Sequence, residues 1–157
     1  MLEIERKFLI LRPEDTCLSC YKFSDIKQTY LLPKGRVRLR TYYDKTVYTH
    51  TIKTSVTNIT RVEEERIITE IEYNELLKTA DPERESVSKR RYIIPHDGFD
   101  FELDDFGAGY THALLEIELP TEDTAFSIPD FINVVREVTD EHEYKNSVIA
   151  SKGFPDK

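Results

Sequence analysis

Charged side chains recur two positions apart along this chain, and that spacing is where its chemistry lies. Glu3, Glu5 and Lys7 are separated by Ile4 and Arg6, and Arg36, Arg38 and Arg40 by Val37 and Leu39. Glu63 and Glu65, Lys89 and Arg91, Glu102 and Asp104, and Glu116 and Glu118 repeat the pattern, while Lys53 follows Thr51 across Ile52. In a β-strand alternate side chains share a face, so each set becomes a row of charge. The rows are sorted by sign. Three arginines on one face repel one another unless an anion lies between them, and paired glutamates call for a cation. A polyphosphate chelated to a divalent metal satisfies both, since carboxylates hold a hard cation and Arg or Lys holds phosphate oxygens.

Each row taken alone also reads as a solvated strand face. All the charges would then meet water, and the apolar rows would pack inside a filled barrel or sandwich. If instead the rows line an interior, that interior must be wet and must hold a compensating ligand, because bare buried charge is costly. The apolar rows would then face outward, where short helices cover only part of them. A partner subunit or long amphipathic side chains would have to cover the rest.

The elements that position these rows follow from the same alternation. Strands are expected at roughly 2–10, 27–32, 36–43, 47–54, 61–71, 88–95, 99–105 and 112–120. The junctions LPKG at 32–35, YDKT at 43–46 and PHDG at 95–98 carry turn chemistry. Short helices are expected at 73–80, at 121–126 with Thr121 as N-cap, and at 140–152. The last would have Asp140 as its cap, Glu143 at N3 and Gly153 as its stop. The fold class is therefore mainly β (α+β), with about eight antiparallel strands, enough to close a barrel and remove exposed edges.

A length of 157 residues with 39% hydrophobic content, no low-complexity run and no long linker fits one domain, 1–157. The net charge of -8 argues against nucleic acid as a partner, because such binding draws on a basic surface. The bases are nonetheless concentrated, in KGRVRLR at 34–40 and SKRRY at 88–92, which leaves room for a basic pocket. No apolar stretch approaches the ~20 residues of a membrane helix. The first ten residues lack a signal-peptide profile, so the expected location is the cytoplasm with no membrane partner. Cys17 and Cys20 form a CLSC motif without a second ligand pair for zinc, and read as two reduced thiols. The phosphate-binding glycine loops GxxxxGK[ST] and GxGxxG are absent, so side chains must handle any phosphate.

The segment EIERKF at 3–8 resembles the N-terminal signature of the CYTH, or triphosphate tunnel metalloenzyme, superfamily. RVRLR (36–40), TIK (51–53), RVEEE (61–65), SKRRY (88–92), FELDDF (101–106), LLEIELP (114–120) and EVTDEHEYKNSVIA (137–150) follow in the family's order. The small bacterial, inorganic-triphosphatase-like members are the most similar. The resemblance implies an eight-stranded closed antiparallel barrel, a tunnel with charged side chains pointing inward, and a C-terminal helix. It also implies cleavage or cyclisation of a triphosphate with Mg²⁺ or Mn²⁺ as cofactor. On this basis Glu3, Glu5, Asp104, Glu116 and Glu118 are expected as metal ligands. Arg36, Arg38, Arg40, Lys53, Arg61 and Arg91 are expected to hold phosphate, Arg36 being alternatively a rim charge at the strand start. Lys7, Glu63, Glu65 and Lys89 are expected in catalysis, with the two glutamates holding a second metal or positioning water. Tyr144, Lys145 and Asn146 match a block that plugs one tunnel mouth.

Hydrolysis of inorganic triphosphate to pyrophosphate and phosphate is the leading expectation, because it asks for least beyond the tunnel itself. The rivals are an adenylate cyclase of the class IV type, a thiamine triphosphatase, and a binding module that holds polyphosphate or a nucleotide without turnover. A lipid-binding barrel would need Glu3, Arg38, Glu63 and Glu118 all to face outward. The partner is thus a small triphosphate, and the chain a monomer or, through outward apolar rows, a homodimer.

Overall fold

The computed structural model describes residues 2–57 and 59–155, the side chains of Leu2 and Glu3 excepted. The strands are β1 (Leu2–Leu11), β2 (Lys22–Tyr30), β3 (Arg36–Thr41), β4 (Thr46–Ser55), β5 (Thr60–Ile68), β6 (Val87–His96), β7 (Phe99–Asp105), β8 (His112–Glu118) and β9 (Val134–Glu137). They form one antiparallel sheet in the order β5-β4-β3-β2-β6-β7-β8-β1-β9, and β1 also pairs with β5. That last pairing closes an eight-stranded barrel through Leu2↔Val62, Glu3↔Arg61 and Ile4↔Thr60. Past this short seam the same edge of β1 is taken by β9, from Phe8 to Ile10.

Among the described residues, three helices and a 3-10 turn accompany the strands: α1 (Asp15–Leu18), α2 (Glu70–Leu77), the turn His142–Tyr144, and α3 (Asn146–Lys152). Helix α2 starts where Thr69 and Glu72 form a reciprocal capping box, which satisfies two of its otherwise unbonded N–H groups. The tight β2–β3 connection needs Gly35. Its φ is +93°, and a Cβ there would lie 3.2 Å from both His50 Nε2 and Thr51 O.

Several expectations shift. Strand β2 begins at Lys22, five residues before the alternation becomes visible, and helix α2 starts at Glu70 on its Thr69 cap. Residues 121–126 form turns: the Thr121 hydroxyl bonds Asp123 and Thr124 and caps no helix. The C-terminal helix starts at Asn146 after Lys145, so Asp140 and Glu143 do not cap it, while Gly153 does end it.

The outward apolar rows find cover within the chain. Helix α2 lays Tyr73 over Leu31, Val37 and Ile68, with the Tyr48 and Tyr73 rings 5.0 Å apart. On the other side the irregular segment 119–132 packs Leu119, Phe126, Ile128 and Ile132 against Ile4, Phe8, Phe101 and Leu115. Such burial stabilises each large side chain by about 1.5–3 kcal/mol relative to exposure. Tyr144, Ile149 and Phe154 plug one end of the barrel against Leu9, Tyr30, Val87 and Leu114, which stand in register with the charged inner face. Among the described residues no helix is long and apolar enough to cross a membrane.

Candidate active site

Antiparallel pairing carries the alternation of one strand onto the next, so the charged rows meet face to face. Lys7 stands opposite Glu116 and Glu5 opposite Glu118 across β1 and β8. Glu102 faces Glu116 across β7 and β8, and Arg91 faces Asp104 across β6 and β7. Lys53 pairs with Glu63 and Thr51 with Glu65 across β4 and β5. All these positions share the inner surface with Arg36, Arg38 and Arg40. A lumen cavity of about 190 Å³ is lined by Glu5, Arg36, Arg38, Arg40, Lys53, Glu63, Glu65, Arg91, Glu102, Glu116, Glu118 and Asn146. An outward-facing arrangement, as a lipid-binding barrel requires, does not occur at Arg38, Glu63 or Glu118. Glu3 sits on β1 opposite Arg61, and its side chain lies outside the described residues.

The arginine row of β3 is the least compensated part of this wall. Arg38 donates to Gln28 Oε1 at 2.9 Å and Arg40 to the Tyr42 hydroxyl at 3.2 Å. The Nε atoms of Arg36, Arg38 and Arg40 are buried without a hydrogen-bond partner. Among the described residues none of the three has a carboxylate within ion-pair distance. Burial lowers the pKa of Arg38, and repulsion from Arg36, Arg91 and Arg40 lowers it further, to about 9. It therefore stays a guanidinium at neutral pH, and an unneutralised one.

Asp104, expected as a metal ligand, is surrounded by cations. It is fully buried, accepts from Arg91 Nε at 2.8 Å and Arg91 Nη2 at 3.0 Å, and lies 2.7 Å from Lys89 Nζ. Burial alone would raise its pKa, but Arg91 and Lys89 overcome that and hold it well below the usual carboxylate range. Both oxygens thus meet cations, and Asp104 anchors Lys89 and Arg91. Lys89 shares that carboxylate with a bidentate arginine. Burial outweighs its attraction to Asp104 and brings its pKa down to about 7. Its Nζ also donates to Asn146 Oδ1 at 3.2 Å, tying the wall to α3.

The remaining carboxylates are more available. Glu116 lies 3.4 Å from Lys7 Nζ, and its buried Oε1 makes no hydrogen bond. Burial raises the Glu116 pKa, but Lys7 and Arg91 outweigh it, so the group stays ionised. Glu5 pairs with Arg61 at 3.2 Å, and Lys53 lies 3.9 Å from Glu63. Glu65 accepts from the Thr51 hydroxyl at 2.6 Å. Lys7 also donates to Tyr144 O at 3.0 Å, so it and Lys89 both hold the plug. Lys7 and Arg61 line a neighbouring cavity, not the central one. Arg91 reaches Glu102 at 3.1 Å as well as Asp104.

The sequence assigns no site role to Gln28, Glu102 or Tyr30. Glu102 was visible as the partner of Asp104 in the 102/104 pair. Gln28 and Tyr30 were not, because β2 mixes polar and apolar residues on both faces. The cysteines Cys17 and Cys20 are free and exposed. Among the described residues no group of three or more His, Cys, Asp or Glu side chains stands ready for a metal. Glu116 Oε1, which lies 3.4 Å from Lys7 Nζ and makes no hydrogen bond, nonetheless shares the lumen wall with Glu5 and Glu118, and carboxylate oxygens are the donors a hard divalent ion takes.

No protein-family profile matches the chain. An inorganic triphosphatase of Acetivibrio thermocellus is 36% identical over 155 residues, 97% of this chain and 95% of that protein. An inorganic triphosphatase of Nitrosomonas europaea is 36% identical over 96% of this chain and 97% of its own length. The crystal structure of the inorganic triphosphatase NE1496 superposes with a TM-score of 0.60 at 32% identity, covering 94% of this chain and 93% of that one.

Proposed function

The chain belongs to the inorganic triphosphatase family within the triphosphate tunnel superfamily, and from that membership we propose that it hydrolyses inorganic triphosphate to pyrophosphate and phosphate inside the barrel. One observation carries the reading. Arg36, Arg38 and Arg40, whose buried Nε atoms have no hydrogen-bond partner, face Glu63, Glu65, Glu116 and Glu118 across a single cavity of about 190 Å³. Such a lumen is short of anionic charge along its arginine row.

Phosphoryl transfer needs alignment and charge neutralisation more than covalent chemistry. Arg36, Arg38 and Arg40 bind the phosphate oxygens and stabilise charge that grows on the departing pyrophosphate. Lys53 and Arg91 hold the chain from the flanking strands. Arg91 and Lys89 keep their positions through Asp104, whereas Lys7 keeps Glu116 in place. Glu63 and Glu65 orient the attacking water and accept its proton. The oxygen of that water bonds to the terminal phosphorus as the bridging P–O bond breaks towards pyrophosphate. Glu5, Glu116 and Glu118 are the carboxylates that would hold Mg²⁺ or Mn²⁺, hard ions that take oxygen ligands. When bound, such an ion supplies Lewis-acid neutralisation of the phosphoryl oxygens.

Removing metal tests the cofactor assignment apart from the substrate assignment. Protein stripped with EDTA is expected to release no phosphate from inorganic triphosphate, and to recover on adding Mg²⁺ or Mn²⁺. Undiminished release in excess chelator would discard the metal and keep the triphosphatase. Absence of release under every condition would discard the function itself.

A further inference from the structure

A second cavity, of about 380 Å³, opens beside the α3 plug and joins the lumen at Glu5, Arg36, Lys53 and Asn146, which line both spaces. The two differ in charge. Carboxylates and cations are nearly balanced in the lumen, whereas this vestibule adds Lys7, Lys34, Arg61, Arg84 and Lys145 against one further acid, Asp81. Its acids are already engaged, Glu5 by Arg61 at 3.2 Å and Asp81 by Arg84 at 3.3 Å. Arg36 stands at the junction, buried, with an Nε that has no partner. Arg84 lies over the Tyr30 ring at 5.4 Å, which orients its guanidinium along the vestibule wall. In a chain of net charge -8 such a concave basic region concentrates anions locally.

The geometry points to a second oligophosphate subsite in this vestibule, built on Lys34 and Arg84 and reached through Arg36, that holds a phosphoryl anion beyond the group bound in the lumen. It rests on the triphosphatase reading for what fills the lumen. The same anion chemistry has two sources: the tail of a linear chain longer than triphosphate, or the pyrophosphate that hydrolysis releases. Neither Lys34 nor Arg84 lines the lumen cavity, and both are exposed, so their replacement leaves the barrel core untouched.

The test compares the parent protein with Lys34→Gln, Arg84→Gln and the double variant. Calorimetric titration with pyrophosphate is run beside kcat/KM for inorganic triphosphate and for linear tetraphosphate. The double variant is expected to keep its triphosphate kcat/KM. It should lose either a second equivalent of bound pyrophosphate or about tenfold in tetraphosphate kcat/KM, the scale of one charge-assisted contact. Loss of the pyrophosphate equivalent assigns the subsite to product, and loss on tetraphosphate assigns it to the chain tail. A single pyrophosphate equivalent in every protein with unchanged tetraphosphate kinetics overturns the subsite, as does an equal loss on both substrates. If the parent fails to turn over triphosphate, the functional reading falls, and the pyrophosphate titration still decides whether the vestibule binds an anion.

Discussion

Replacing Arg38 with Gln is expected to lower kcat/KM for inorganic triphosphate by about 10³-fold, roughly 4 kcal/mol of transition-state stabilisation. The ligand-free protein should meanwhile be as stable as the parent, or more stable by about 1 kcal/mol. Both halves follow from one geometry. Arg38 is buried between Arg36, Arg40 and Arg91, and among the described residues it hydrogen-bonds Gln28 alone. Gln at this position relieves the repulsion and stays within polar reach of Gln28. What disappears is the charge kept for the substrate. Steady-state kinetics and a thermal melt read the two halves separately. A variant that melts far below the parent yet still hydrolyses triphosphate would make Arg38 structural.

The second large effect separates carboxylates that look alike in the sequence. Asp104→Asn is expected to destabilise the fold by about 3–5 kcal/mol, because it leaves Arg91 and Lys89 buried beside a neutral amide. For a chain of this size that corresponds to a drop of roughly 10 °C in Tm. Glu118→Gln, at an exposed position on the lumen rim, should leave Tm within about 2 °C and lower turnover at least 10²-fold. The reverse pattern, with Asp104→Asn folding normally and Glu118→Gln melting early, would exchange their roles.

That exchange marks how far the sequence could be read. A period of two fixes which residues share a face, and antiparallel register then gathers the rows at 5/7, 36/38/40, 63/65, 102/104 and 116/118 on one inner surface. The barrel and its charged lining were legible for that reason. Periodicity does not say which residue stands across the sheet, so Asp104 and Glu116 read alike. Only the pairing of Arg91 with Asp104 tells them apart. Nor does periodicity show that Arg61, expected to hold phosphate, stands 3.2 Å from Glu5.

Strand β2 hid its start because Phe23, Asp25 and Lys27 alternate with Ser24, Ile26 and Gln28, giving neither face a uniform character. β9 was missed since four residues, all exposed on an edge strand, carry too short a signal. The cover over the outer face was misjudged for a different cause. Phe126, Ile128 and Ile132 pack from an irregular segment, which has no period to find. It covers part of the apolar surface for which the sequence suggests a partner subunit or long amphipathic side chains.

The most direct measurement is product analysis by phosphorus NMR, with purified protein and Mg²⁺ or Mn²⁺ offered inorganic triphosphate and ATP in separate reactions. The expected result is equal phosphate and pyrophosphate from triphosphate, and no cyclic AMP from ATP. Cyclic AMP with pyrophosphate from ATP, and intact triphosphate, would contradict the assignment and make the chain a cyclase. Tight triphosphate binding without any product would contradict it in the other direction, leaving a barrel that holds the anion and does not cleave it.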